Sequence, residues 1–431
     1  MRKVITYGTY DLLHYGHIKL LERAKELGDY LIVGVTSDDF DRTRGKINVN
    51  NSLMERVEAV RRTGLADEII IEEYEGQKID DIKRFGIDVF TVGSDWRGHF
   101  DYLKEYCEVV YLERTIGISS SEIRTKKSEI KLGIIGQSHI VEKYKKESKY
   151  VNGLQVTAQS EDSGKILSDK EIDAVYIVSH PSLHYTHCKD ALIAKKHVLC
   201  ESPIALESSQ AEELYELARR NGVWLVEGIK TAYSTAFGRL ILLAKSGKIG
   251  DIVSVDSVCT SLKELDYSDR AMLRNEWNSF TSWGPTALLP VFLLLGTKFE
   301  DVDLFSLTAT ADCCFDRFSK ISLRYSDAVA SCKVAKGVKS EGELIISGTG
   351  GYIYVPAPWW KTDFFEIKYE NPSDNRRYFF QLEGEGIRNE LASFIRLING
   401  IGYNPVGPQI SIAIADIMGR FYNACEDESR K

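Results

Sequence analysis

The sequence predicts an α/β protein: a doubly wound parallel sheet, then a second unit of the same kind that runs on into an α+β segment with a mostly antiparallel sheet. Three observations carry this. Short apolar runs alternate with helix-period segments from the first residues to "CEVVYLERT". An apolar run ends in a glycine turn and a helical stretch twice, in "VITYGTYDLLHYGH" and again in "LGIIGQSHIVEKY". From Lys248 onward, strand-like runs follow one another with few helices between them. A chain of 431 residues with 43% apolar content is long enough for two or three domains, each with its own core.

Taken in order, "KVITYGTYD" reads as a strand, and His17 to Leu27 places Ile18, Leu20, Leu21, Ala24 and Leu27 at helical spacing. "YLIVGVTSDD" is the next strand, "NSLMERVEAVRRTG" a helix, "EIIIEE" a strand and "KIDDIKRFG" a helix, and "VFTVGSDW" and "CEVVYLERT" complete the series. The polar stretch "SSSEIRTKKSEIK" marks a boundary between Thr125 and Ile130, after which a second β/α unit begins. The runs "IVSVDSVCT", "DVDLFSLTAT", "SKISLRYS", "AVASCKVAK", "GELIISGT" and "GYIYVPA" supply the later sheet. The expected domains are 1–128, 131–240 and 241–431.

The net charge of −8 argues against a nucleic-acid groove and leaves room for a local phosphate pocket. The chain has no run of eighteen uncharged apolar residues, so no membrane span is expected. Its eight cysteines form neither a CxxC pair nor zinc-ribbon spacing, and the start "MRKVITYGTYD" lacks a signal-peptide core. A reduced, cytoplasmic protein is the expectation.

His14 and His17 flank Gly16 at the mouth of the first helix. A helix N-terminus offers unpaired N–H groups and a positive dipole end, so it attracts phosphate, and Gly16 is expected to let the backbone approach closely. In nucleotidyl transfer charge grows on the α-phosphate and on the leaving pyrophosphate, and imidazole donors there lower the barrier. A metal pair or two core histidines would satisfy the same spacing. A second cradle stands in "RTIGISSSEIR", Arg114 to Arg124, where an Arg, a turn Gly and three serines precede a helical stretch; a plain helix cap reads the same way. His180, His184 and His187 share helical spacing, but they have no Cys or carboxylate partners at ligand spacing, so a strand-to-helix loop is the reading preferred over a metal site.

Through GTYDLLHYGH, LGDYLIVGV, RTRGK, QKIDDIKRFGIDVF, GSDWRG, FDYLKEYCEVVYL and RTIGISSS, residues 1 to about 125 resemble the glycerol-3-phosphate cytidylyltransferases of the HxGH nucleotidylyltransferase superfamily. The resemblance implies CTP and Mg²⁺, an acceptor phosphate oxygen as nucleophile, and pyrophosphate as leaving group. It implies that His14 and His17 stabilise the transferring phosphate, with Lys46 and Arg114 among the catalytic groups. Thr9, Tyr10, Gly16, Thr115, Ser119 and Ser120 would hold the nucleotide. Lys46 and Arg56 would grip the acceptor phosphate, with Arg44, Asp95 and Trp96 lining its pocket. Arg44 replaces an expected Lys and Ser94 an expected Asp, which leaves the acceptor open among glycerol 3-phosphate, glycerol 2-phosphate and ribitol 5-phosphate.

From 131 onward, "IDAVYIVSHPSLHYTHCKDALIAKKHVLCESPIAL" and "KSGKIGDIVSV" resemble the glucose-fructose oxidoreductase family (Gfo/Idh/MocA), with its Rossmann core and NAD(P) cofactor. The motif residues look stripped. Gly133 and Gly136 are followed by Ser138 and Val141 where a dinucleotide turn wants further glycine or alanine. Glu201-Ser202-Pro203 stands for the family's Glu-Lys-Pro, and Ser282 and Thr286 fall where the family has Asp and a catalytic His or Tyr. Lys230 could stand in as an acid or simply cap a surface. The stretch between "LQVTAQSED" and "EIDAVYIV" leaves little room for a helix, so the adenosine side of an NAD(P) pocket would be incomplete.

The expected function is cytidylyl transfer from CTP to a polyol phosphate, glycerol 3-phosphate before the others, giving CDP-glycerol and pyrophosphate for a phosphate-containing surface polymer or capsule, with a degenerate oxidoreductase-like module behind it and a homodimer as the assembly. A bifunctional enzyme whose second half reduces a carbonyl phosphate to the polyol phosphate is the alternative, and a pure binding or dimerisation module is another.

Overall fold

The computed structural model describes residues 1–37, 51–74, 76–113, 129–151, 153–310, 313–380, 382, 384–400 and 402–429. The chain divides into two compact units, Met1–Ser128 with Ile401–Tyr403, and Glu129–Gly400 with Asn404–Lys431.

In the first unit the order is β1 (Lys3–Gly8), α1 (Tyr15–Lys25), β2 (Tyr30–Thr36), α2 (Leu53–Arg62), β3 (Glu68–Glu72), α3 (Gln77–Phe85), β4 (Val89–Gly93) and β5 (Glu108–Leu112). The strands form one parallel sheet in the order β3-β2-β1-β4-β5. Both faces are covered, which is why the strands read as continuous apolar runs: Val4, Ile5, Leu31, Val33, Val89 and Phe90 are fully buried. β2 tolerates no side chain at Gly34, because a Cβ there would stand 2.2 Å from Tyr7 Cδ1. Strand order reverses between β1 and β4. In open α/β sheets the crevice outside the carboxyl ends of the strands at such a switch point is where ligands bind.

The second unit opens with β6 (Ile130–Ile135), α4 (Val141–Ser148), β7 (Leu154–Ser160), α5 (Ser163–Leu167), β8 (Ala174–Ile177), α6 (Pro181–Ile193), β9 (His197–Glu201), α7 (Ser208–Asn221) and β10 (Leu225–Gly228), paired as a parallel sheet in the order β10-β9-β8-β6-β7. The five-residue helix α5 occupies the stretch that looked too short for one. It fits because Asp162 caps it, accepting from Gly164 N at 3.0 Å. Then come α8 (Thr235–Lys245), β11 (Ile252–Ser261), α9 (Arg270–Asn275), α10 (Ser279–Leu295), β12 (Asp301–Thr310), β13 (Cys313–Arg324), β14 (Val329–Lys336), β15 (Leu344–Gly348), β16 (Tyr352–Val355), β17 (Phe364–Lys368) and β18 (Arg376–Phe379), followed by α11 (Ile387–Ile398) and α12 (Pro408–Ser429).

The eight strands β11 to β18 form one sheet in the order β12-β13-β14-β11-β15-β16-β17-β18. It is antiparallel except for the pair β11 and β14. The division expected at 240/241 falls inside α8, and one apolar core runs from Ile130 to Cys425 through both sheets. α12 helps close that core: Phe421 stacks on Phe280 with ring centroids 4.4 Å apart, and Tyr215 of α7 donates to Ser411 Oγ at 2.8 Å. Among the described residues no helix is long and apolar enough to cross a membrane.

Candidate active site

The crevice of the first unit is built from the loop after β1. His14 is the N-cap of α1, and its Nδ1 accepts from Gly16 N at 3.1 Å. His17, three residues on, returns the bond: its Nδ1 accepts from His14 N at 3.4 Å. This is a capping box made of two imidazoles, which stack with centroids 4.0 Å apart and planes inclined by 18°. The geometry fixes their chemistry. A ring nitrogen that accepts from a backbone N–H carries no proton, so in each neutral ring the proton sits on Nε2. Each ring is thus held as an Nε2–H donor at the positive end of a helix. Gly16 serves this arrangement differently from the expected close approach of backbone to phosphate: a Cβ there would meet His14 Cε1 at 3.0 Å. The imidazole itself takes that space.

Tyr10 is buried, and its ring meets His17 edge-on with centroids 5.6 Å apart. It is a wall behind the imidazole rather than a side chain open to a nucleotide. Burial also drives its phenol well above the usual range. Arg56 likewise differs from the acceptor ligand expected of it. It is 1% exposed, and its guanidinium donates to the carbonyls of Asn51 (Nε, 3.1 Å), Thr9 (Nη1, 2.7 Å) and Thr36 (Nη1, 2.7 Å). Its charge serves the loops, not an open pocket.

Thr9 and Trp96 line a small cavity together with Tyr7, Gly8, Thr36, Glu72, Lys78, Phe90, Val92 and Phe100, at the carboxyl ends of β1, β2 and β4. Asp95 lies in the same turn as Trp96 and is exposed. Arg44, Lys46, Arg114, Thr115, Ser119 and Ser120 lie outside the described residues. The cavity holds two charged groups that the sequence reading passed over. Lys78 of α3 pairs with Glu72 of β3, whose side chain is 1% exposed, and its ammonium stands 4.7 Å from the Tyr7 ring centroid and 5.3 Å from that of Phe100. Thr36 Oγ1 donates to Glu72 Oε2 at 2.8 Å. A signal was present: Gln77, Lys78 and Asp81 occupy the same buried face of α3 as Ile82, and polar residues at core-facing helical positions call for buried partners.

Sequence comparison decides the class of this site. The cytidylyltransferase-like family model matches residues 5–126, and the glycerol-3-phosphate cytidylyltransferase of Bacillus spizizenii is 54% identical over 124 residues, 29% of this chain and 95% of that protein. The chain belongs to the cytidylyltransferase-like family. The Staphylococcus aureus glycerol-3-phosphate cytidylyltransferase agrees at 50% identity over 126 residues, 29% of this chain and 93% of that protein. As a member of the cytidylyltransferase-like family, the chain is a nucleotidyltransferase.

Residues 131–229 of this cytidylyltransferase-like chain match a second model, "Oxidoreductase family, NAD-binding Rossmann fold". The aldose-aldose oxidoreductase of Caulobacter crescentus superposes with a TM-score of 0.59 at 17% identity, covering 70% of this chain and 98% of that one, which shows a shared fold. The turn after β6 fits the tight bend of a dinucleotide fold. Gly136 has φ +110°, and a Cβ there would lie 2.7 Å from Ser179 N. Beyond it a groove of about 610 Å³ is lined by Gly136–His139, Val141, Glu142 and Gln159–Glu161. Glu161 follows β7 directly and stands at the rim of this groove.

The hydride-transfer side does not fit. Ser202 is tucked against the buried Glu227, to which its hydroxyl donates. Glu201 accepts from Tyr176 at 2.5 Å. Thr286 lies half-buried on α10. Lys230 lies 3.5 Å from Glu385 in an ion pair. A lysine does stand beside Ser282, but it comes from the end of β14: Lys336 Nζ donates to Trp277 O at 2.6 Å and lies 3.5 Å from Ser282 Oγ. Burial holds its ammonium below the usual lysine range. His184 is fully buried, with Nδ1 2.7 Å from Pro203 O and Nε2 2.9 Å from Ser179 O, so it ties two loops together.

Two buried glutamates of this unit are pushed well above the ordinary carboxyl range. Burial, reinforced by the Glu201 charge, pushes Glu390 up to about 8, and burial pushes Glu227 up to about 7. The folded unit therefore keeps protons that the unfolded chain releases above its ordinary value of 4.5, so this contribution to stability is complete below that pH and is lost as pH rises through about 8. Glu390→Gln should flatten the fall in melting temperature between pH 5 and pH 8. An unchanged slope, measured by circular dichroism at a series of pH values, would contradict the assignment.

Proposed function

We propose that this chain transfers a cytidylyl group from CTP to glycerol 3-phosphate, forming CDP-glycerol and releasing pyrophosphate. The reciprocal cap of His14 and His17 carries the reading, because it presents two Nε2–H donors at a helix N-terminus without any charge to neutralise. A phosphate oxygen of the acceptor attacks the α-phosphorus of CTP, the bond to the bridging oxygen breaks, and pyrophosphate leaves with the electron pair. Charge grows on the non-bridging and leaving oxygens, where His14 and His17 donate hydrogen bonds that strengthen in the transition state. Mg²⁺, carried on the triphosphate, would screen its charge. Lys78, held by Glu72 beside Trp96, is the described cation nearest in kind to what the acceptor phosphate needs. Lys46, Arg114 and Ser119 are assigned to substrate binding from the family resemblance alone.

To the second unit we assign no hydride transfer, since Ser202 supplies no proton-transfer ammonium where the family has Lys. The test is pyrophosphate release from CTP with glycerol 3-phosphate, glycerol 2-phosphate, ribitol 5-phosphate and erythritol 4-phosphate. The highest kcat/KM is expected with glycerol 3-phosphate. A clear preference for another polyol phosphate would move the acceptor assignment, and no release with any of them would overturn the reading. Steady oxidation of NADH or NADPH by a carbonyl phosphate would restore the bifunctional alternative.

A further inference from the structure

The loop that delivers His14 is strained. Tyr10 and Leu12, neither of them glycine, sit at φ +53° and +49°. Such a residue is disfavoured in this conformation and persists only where its surroundings over-determine it. Asn51, immediately before the N-cap of α2, supplies that restraint. It is 8% exposed, and three of its polar groups are used. Its backbone N–H donates to Asp11 Oδ1 at 2.9 Å, its side-chain Oδ1 accepts from Leu12 N at 3.2 Å, and its carbonyl accepts from Arg56 Nε at 3.1 Å. Arg56 reaches on to Thr9 O. Residues 9, 11 and 12 are thus pinned, directly or through Arg56, by one asparagine from a different element. Pro and Gly, which make such loops rigid or permissive, are absent between Thr9 and Tyr15.

We infer that Asn51 is a positioning residue for the transfer reaction: its side-chain amide oxygen holds Leu12 in the left-handed conformation that sets His14 at the N-cap, and through the reciprocal cap sets His17 as well. This rests on the reading that the two histidines act on the transferring phosphate. Without the amide oxygen, Leu12 N loses its buried acceptor, the strain is free to relax, and the imidazoles move with the loop. A displacement of about 1 Å at a reacting group can cost on the order of 10²-fold in rate. The loss should appear in kcat rather than in ground-state affinity, because the restraint touches no substrate.

The experiment compares Asn51→Ala, Asn51→Asp and His17→Ala in the full chain, reading kcat, KM for CTP and hydrogen exchange of the loop amides. Asn51→Ala should lower kcat by about 10- to 100-fold while KM for CTP changes less than about threefold, with faster exchange at Leu12. Asn51→Asp keeps the acceptor for Leu12 N and should recover part of kcat despite its charge beside Asp11. An inactive His17→Ala with an unaffected Asn51→Ala would overturn the positioning role alone. An active His17→Ala would instead remove the reading on which it rests. Equal losses of kcat and melting temperature in both Asn51 variants, with no recovery by Asp, would reduce Asn51 to a stability contact and also overturn the proposal.

Discussion

Replacing His17 by alanine is expected to lower kcat by about 10²-fold or more while changing CTP affinity much less, because a donor to developing charge acts in the transition state. Two losses coincide in this variant. The Nε2–H donor goes, and so does the Nδ1 acceptor that holds His14 N at 3.4 Å. His14 then keeps its own bond to Gly16 but loses the ring stacked against it at 4.0 Å. The double variant His14→Ala/His17→Ala should accordingly be little worse than either single one, as for groups that act as a unit. His17→Asn separates the two roles: an amide oxygen can replace the cap acceptor, leaving the missing imidazole donor to account for the remaining deficit. Steady-state pyrophosphate release gives kcat, and equilibrium titration with CTP gives the affinity. A His17→Ala enzyme with unchanged kcat would remove the histidine pair from the chemistry.

The second large effect is expected at Lys78. Glu72 has 1% of its side chain exposed, and Lys78→Met removes the Lys78 ammonium from its carboxylate while the bond from Thr36 Oγ1 stays. Removing one member of a buried pair typically costs about 3–5 kcal/mol, whereas replacing both by neutral groups is often close to neutral. Lys78→Met should therefore speed hydrogen exchange across β1, β2 and β3, and Lys78→Met/Glu72→Gln should restore much of the protection. Activity separates structure from binding. If Lys78 also serves the acceptor, the double variant will fold yet show a raised KM for the polyol phosphate. A double variant with wild-type KM would confine the pair to a structural role.

Much of the fold was legible because parallel strands covered on both faces are continuous apolar runs: "VITY", "LIVGV" and "VFTV" need no partner to be recognised. β17 and β18 were not. "FFEIK" and "RRYF" are short and charged, and they are identifiable only from their pairing in the sheet, Phe364 opposite Phe379 and Ile367 opposite Arg376. The histidines were legible as a motif, but their reciprocal cap was not, since ring orientation is a property of χ angles and not of spacing. Arg56 shows the complementary error. The resemblance assigns it to the acceptor phosphate, yet this guanidinium donates to carbonyls of three segments that meet only in the folded sheet. Lys336 was missed for a similar reason: it is separated by more than fifty residues from the Ser282 it lies beside, and no local pattern joins them.

The sheets of the two units can close at different moments of synthesis. In the first, β1 waits for β4, so the central pairing of Val4 with Val89 is complete only once the middle of that unit has left the ribosome. The β5 strand follows soon after, and every strand of that sheet is then available. The second unit has no such early closure. Its core begins at Ile130 but includes Phe421 against Phe280, so Phe280 of nascent α10 lacks the ring that stacks on it until α12 emerges. Through that interval a nearly all-apolar helix, "SFTSWGPTALLPVFLLL", is incompletely covered and open to nonspecific association. A first sheet whose strands are all in place would thus be tethered to an unfinished and sticky neighbour, and mistakes in making this protein should concentrate in its second half.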